Sequence, residues 1–148
     1  MEKFEVLRKS PLFDMLSPAE LEAASEMSRP RKFAAGEVVF EEGELGDSLF
    51  VIAAGEVEAL RSNDAGEPRV IGSFVPPEFF GEMSLIDKEV RSATVRARTD
   101  CVLLQLTAEN FAALRKHNRD GFTFIVMNIA RVLSSRLRET NVRLAARL

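Results

Sequence analysis

Three textures of hydrophobic and polar positions follow one another along the chain. Residues 2 to 28 read as helical. Phe4, Leu7, Leu12, Phe13 and Leu16 precede Ser17-Pro18-Ala19-Glu20, a capping box with proline at the first helical position. Leu21, Ala24 and Met27 then recur on one face, and Pro30 marks the end. This segment is expected to lie as a helical cap on whatever follows it.

From residue 31 to residue 106 the period shortens. Alternating or apolar runs occupy Glu37 to Phe40, Ser48 to Ala53, Glu56 to Arg61, Arg69 to Phe74, Ser92 to Ala97 and Cys101 to Leu106. Turn chemistry separates them at Gly36, Gly43-Glu44-Leu45-Gly46-Asp47, Gly55, Asn63-Asp64-Ala65-Gly66 and Pro76-Pro77; seven of the eight glycines fall between positions 36 and 81. Short strands at this spacing predict an antiparallel jelly-roll or sandwich. Gly81 to Thr94 carries its only helical turn.

Helical spacing returns from 107 to 148. Thr107-Ala108-Glu109-Asn110 caps a helix reaching about Lys116, and Gly121 punctuates. Phe122, Ile125, Ile129, Val132 or Leu133, and Leu137 then mark one face of a long amphipathic helix. Its distal part is basic, with Arg131, Arg136, Arg138, Arg143 and Arg147 against the single acid Glu139. The fold class is therefore mainly β with flanking α, in one domain over residues 1–148. It divides into a helical cap (1–30), a β-roll (31–106) and two C-terminal helices (107–148).

Composition narrows the function. The 148 residues are 46% hydrophobic and 29% charged, ordinary globular usage, and the formal net charge of -3 disfavours a generic nucleic-acid coat. Cys101 is the only cysteine and His117 the only histidine, which exclude an intrachain disulfide and make a histidine-based metal site improbable. The same count argues against a metal-binding cupin, another double-sheet roll. Cys101 and His117 lack an oxyanion motif, so they read as a core thiol and a surface imidazole, not as a nucleophile and base. The N-terminus has no apolar signal region, and the apolar runs are too short to span a bilayer. A cytoplasmic protein without a membrane segment is expected.

The chemistry concentrates in Phe80-Gly81-Glu82-Met83-Ser84-Leu85 and Arg91-Ser92-Ala93-Thr94-Val95. A glycine before a helical turn turns backbone N–H groups outward at an anion, and Arg91 adds a planar fork for phosphate oxygens. Glu82 can accept hydrogen bonds from a sugar hydroxyl. Phosphate plus sugar suggests a nucleotide. The bland alternative pairs Arg91 with Glu82, Asp87 or Glu89 in a structural turn. Gly43, Gly46 and Gly55 read as turn residues.

These two stretches, with Gly43 to Gly55 before them, resemble the phosphate-binding cassette and the glycine-punctuated hairpin of the cyclic-nucleotide-binding domain family. That family includes catabolite-activator-type regulators, regulatory subunits of cyclic-AMP-dependent kinases and cyclic-nucleotide-gated channels. The resemblance spans nearly the whole chain. It implies a regulatory module that is not an enzyme and needs no cofactor, with cyclic AMP, or cyclic GMP, as ligand. The cassette falls at 80–95. Glu82 would take the ribose 2′-hydroxyl and Arg91 the exocyclic phosphate oxygens, with Gly81, Met83, Ser84, Ser92 and Ala93 completing the cradle through backbone N–H groups. Val90 stands where many members have proline. Ser92 leaves the base choice open.

The last helix would be the lid, with Val132, Leu133, Arg136 or Leu137 over the purine and a hinge near His117 to Gly121. A protein partner, or a homodimer through that helix, would receive the signal. Catabolite-activator-type proteins continue into a helix-turn-helix domain, whereas this sequence ends at Leu148, so DNA binding by this polypeptide is not expected. Two alternatives stand beside this reading: a truncated regulatory domain of a channel, kinase or transcription factor, and a scaffold roll that no longer binds nucleotide.

Overall fold

The N-terminal segment breaks into three pieces because Ser10-Pro11 and Ser17-Pro18 each restart the chain. Helix α1 (Lys3–Lys9) is followed by a 3-10 turn (Pro11–Phe13) capped by the Ser10 hydroxyl, then by α2 (Pro18–Met27). The predicted capping box is formed, with Ser17 accepting from the Glu20 backbone and Glu20 accepting from the Ser17 backbone. The computed structural model describes residues 2–147.

Eight strands then build two antiparallel four-stranded sheets. They are β1 (Arg29–Phe33), β2 (Val38–Phe40), β3 (Ser48–Ala54), β4 (Val57–Ser62), β5 (Pro68–Phe74), β6 (Phe79–Phe80), β7 (Thr94–Ala97) and β8 (Cys101–Thr107). One sheet runs β1-β8-β3-β6 and the other β2-β7-β4-β5. Six strands lie on the predicted runs. Strand β1 lies on none of the predicted runs: Arg29 and Pro30 fall in the expected helical cap and Arg31 to Phe33 at the start of the expected roll. Pro30 is tolerated there because β1 is an edge strand, where a missing N–H removes no ladder bond on the solvent side.

Strand β3 explains the layering. Its first five residues are all buried, because the sheet is covered on both faces. Leu49 and Val51 point into a helical core with Leu7, Leu12, Leu104, Phe111 and Ile125, while Phe50 and Ile52 point between the sheets with Val57, Val95 and Leu103. Phe79 and Phe80 divide in the same way. Helices, first sheet and second sheet thus form three layers.

Between β6 and β7 the chain makes the expected helical turn, α3 (Met83–Asp87). After β8, α4 (Ala108–His117) starts on a second capping box formed by Thr107 and Asn110. The break before α5 (Arg119–Ala146) falls at Asn118, not at Gly121 as the sequence suggested. Asn118 leaves helical geometry and its side chain accepts from the Gly121 N–H, placing Gly121 within the first turn. Gly121 is small for another reason: a Cβ there would collide with the Glu20 carboxylate. Asn128, 2% exposed, anchors α5 further along by donating to the Leu12 and Asp14 carbonyls at 3.0 and 2.8 Å. No helix among the described residues is long and apolar enough to cross a membrane.

Candidate functional site

The site is assembled where the second sheet meets α3 and α5. Gly81 turns the chain out of β6 at φ +87, a conformation that side chains rarely adopt, and a Cβ there would lie 3.0 Å from Arg91 Nη1. Ten residues later, at Arg91, the chain returns and is fastened to the loop before β3. The Arg91 N–H donates to the Glu44 carbonyl at 2.7 Å, and the Gly43 N–H donates to the Arg91 carbonyl at 2.9 Å. Val90 bridges Leu45. These bonds position the Arg91 backbone.

The Arg91 side chain is 5% exposed. Its two terminal nitrogens donate to the Gly81 carbonyl at 2.9 Å and the Ser48 carbonyl at 2.7 Å, and its guanidinium lies 3.9 Å from the centre of the Phe40 ring. Among the described residues it joins no ion pair, so the structural pairing with Glu82, Asp87 or Glu89 is not formed. Burial pulls its pKa down, opposed by the fields of Asp47, Glu44 and Glu82. Two carbonyls use two of its five N–H groups, leaving donors for an anion.

Gly46 does more than turn the chain. A Cβ at this position would lie 2.5 Å from Arg91 Nε, 2.6 Å from its Cζ and 2.6 Å from the Ser84 hydroxyl. The loop therefore closes directly on the guanidinium. Gly43 and Gly55 do occupy left-handed turn positions, at φ +89 and +88.

Glu82 is 3% exposed at the start of α3, and burial raises its carboxyl above the ordinary range against the opposing pull of its own backbone N–H, Arg136 and Arg91. Arg136 on α5 donates to Glu82 Oε1 at 3.1 Å and to the Phe79 carbonyl at 3.0 Å. Its guanidinium also lies over Phe74 at 4.9 Å and Phe79 at 5.5 Å. This side chain ties the long helix to the carboxylate.

A cavity of about 420 Å³ opens between these groups. All seven expected cradle residues line it: Gly81, Glu82, Met83, Ser84, Arg91, Ser92 and Ala93. Of the four expected on the final helix, Leu133 and Arg136 line it as well. Val132 packs on the helical core instead, and Leu137 is 62% exposed. Thr140, Phe74 and Ile71 also face the cavity and were not foreseen. Thr140 is one helical turn beyond Arg136 and so lies on the same face of α5. Ile71 and Phe74 arrive from a different strand, which no local pattern announces.

Comparison with known proteins agrees with this geometry. A family model described as the cyclic nucleotide-binding domain matches residues 30–118. The "Cyclic AMP receptor protein" of Thermus thermophilus is 36% identical over 138 residues, covering 93% of this chain and 62% of the relative. The regulatory domain of Toxoplasma gondii PKA, solved with cAMP, superposes with a TM-score of 0.71 at 30% identity over 76% of this chain and 42% of that one. A cyclic nucleotide-binding domain from Methylobacillus flagellatus shares the fold at a TM-score of 0.88, with 23% identity, 99% coverage of this chain and 83% of that one. The chain spans less than two thirds of the curated Thermus relative. With a buried guanidinium and a buried carboxylate facing one cavity of a two-sheet roll, the chain belongs to the cyclic nucleotide-binding domain family.

Proposed function

We propose that this chain is a sensor domain, not an enzyme, that binds cyclic AMP in preference to cyclic GMP and reports occupancy through α5. The observation that carries the reading is Arg91, a guanidinium 5% exposed, without an ion-pair partner among the described residues and beside a cavity of about 420 Å³. A buried cation without a counter-ion is costly, and a bound anion removes that cost. A cyclic phosphate would take the remaining Arg91 donors, with N–H groups at Ser84, Ser92 and Ala93 beside it. Glu82 would accept from the ribose hydroxyl, sharing its charge with Arg136.

The base would then lie toward Leu133, Arg136 and Thr140. Arg136 contributes twice in this reading, as a hydrogen-bond partner of Glu82 and as a cation over the purine face, the latter worth about 1 kcal/mol. Because Arg136 belongs to α5, a ligand that changes the Glu82 contact has different affinities for two positions of the helix, which is the requirement for a switch. Leu137, Val142 and Leu144 are exposed on α5 and offer a surface for a second copy, which sedimentation with and without nucleotide would register.

Calorimetric titration with both nucleotides tests the reading. Wild type should bind, and Arg91→Ala should weaken affinity by more than tenfold, from the loss of a charge-assisted contact of about 1.5–3 kcal/mol. Absence of binding by the folded wild type to either nucleotide would overturn it.

A further inference from the structure

A second concavity, of about 500 Å³, lies on the opposite side of α3 from the phosphate cradle. Its floor is Phe111, Ile125 and Ile129, all under 9% exposed, and its edges are Ile86 and Val126, 57% and 47% exposed. Only two of its lining side chains carry charge, Lys88 and Arg115, and both are cationic. Arg115 and Phe122 also line an adjoining hollow that adds Lys116 and Arg119. Neither lining contains an acid, although the chain as a whole is acidic. Among the described residues none of these four cations is in an ion pair. Asp87, Glu89, Glu109 and Asp120 stand nearby in sequence but face neither hollow.

The geometry points to a binding site for a single-chain anionic amphiphile, a long-chain acyl carboxylate whose tail lies on Phe111, Ile125 and Ile129 and whose head meets Lys88 and Arg115. The volume falls in the range of small-molecule sites, with mostly apolar walls and a few convergent polar groups. The walls are helices whose backbone groups are already bonded, so an extended peptide would find no partners for its own. A helix of about 10–12 Å diameter fills a comparable volume in roughly one turn and would leave most of its length outside. The α5 helix of a second copy brings Arg131, Arg138 and Arg143 toward a cationic rim, which repels it. An unbranched chain with one carboxylate meets every feature: no hydrogen-bonding groups in its tail, and a charge suited to the Arg115 fork.

The experiment titrates the nucleotide-free protein with octanoate, decanoate and dodecanoate below their micelle concentrations, by calorimetry. Affinity should rise about fourfold per added methylene while the tail stays within the groove, following the transfer free energy of a buried methylene. Val126→Glu and Arg115→Glu, both exposed positions expected to leave the fold intact by circular dichroism, should each weaken dodecanoate more than tenfold. Dodecanol should bind at least tenfold more weakly than dodecanoate. The absence of saturable binding by wild type, no dependence on chain length, indifference to Val126→Glu, or equal binding of dodecanol would each overturn the proposal. A parallel cyclic AMP titration of the same samples separates failure here from failure of the cradle reading, because neither substituted residue touches the cradle.

Discussion

Replacing Gly46 by alanine is the most discriminating single change to the phosphate side of the cavity. The new methyl would sit 2.5–2.6 Å from Arg91 Nε, Arg91 Cζ and the Ser84 hydroxyl, well inside contact distance. Arg91 cannot swing aside freely, because its terminal nitrogens are held by the Gly81 and Ser48 carbonyls and its face rests on Phe40. Either the loop moves, at an overpacking cost of about 1–3 kcal/mol, or the guanidinium gives up a charge-assisted bond worth about 1.5–3 kcal/mol. Both routes move Arg91 relative to Glu82. The expected result is a lower urea midpoint together with cyclic AMP affinity weakened at least tenfold by calorimetry.

Gly43→Ala is the matched control, since it lies in the same loop but a Cβ there meets nothing within 4 Å. Its φ of +89 makes alanine strained, by about 1–2 kcal/mol, so stability should fall while nucleotide affinity changes less than threefold. Gly46→Ala binding cyclic AMP within twofold of wild type would refute the claim that this loop positions the arginine.

Further outcomes follow from the other anchors. Arg136→Ala removes the 3.1 Å bond to the buried Glu82 and the 3.0 Å bond to the Phe79 carbonyl; it should lower stability by about 2–3 kcal/mol in urea melts and loosen α5, read as faster amide exchange beyond Leu133. Burial holds the folded Glu82 pKa above its unfolded value, so the native state retains this proton more tightly and stability from this group falls as pH rises from about 4.5 through the raised pKa. A ribose hydroxyl donating to the carboxylate favours its charged form, so nucleotide affinity should weaken on acidification through the same window. Glu82→Gln should flatten both profiles, and an unchanged slope in the thermal melts would rule out this assignment. Asn128→Ala deprives the Leu12 and Asp14 carbonyls of their donor and should cost about 1–3 kcal/mol without altering the cradle's contacts, measurable as a lower melting temperature with cyclic AMP affinity preserved at saturation of the folded state.

Much of the roll could be read from the chain because its strands announce themselves by period and by the turns between them. Ser48 to Ala53 and Cys101 to Leu106 are near-continuous apolar runs, and the reason is visible in β3 and β8, which face a core on each side. Strand β1 was hidden because Arg29, Pro30, Arg31 and Lys32 are all exposed and only Phe33 turns inward. Strand β6 is too short, at two residues, to show any alternation. In the site, Glu82 and Arg91 were legible from their residue types and spacing around Gly81. Gly46 was not, because its reason for being glycine is an arginine 45 positions away that only folding brings to it. Which side of α5 faces the cavity depends on how Ile125 and Ile129 pack into the helical core, so Thr140 could not be chosen over Leu137 from helical period alone.

The order of strands in the first sheet bears on how the protein is made. Strand β8 lies between β1 and β3, so the two earlier strands have no shared neighbour until the chain has been extended through Thr107. The Arg31–Gln105 bond, between residues 74 apart in sequence, is one mark of that delay. At about 5–20 residues per second, a nascent chain would expose Leu49, Val51 and the inner face of β3 for several seconds before their partner emerges. The strand that completes the sheet is followed at once by α4, whose cap begins at Thr107, the last residue of β8. Closing the roll and adding the C-terminal half of the helical layer are therefore a single event at the ribosome, and an arrest just before Cys101 would leave both cores open.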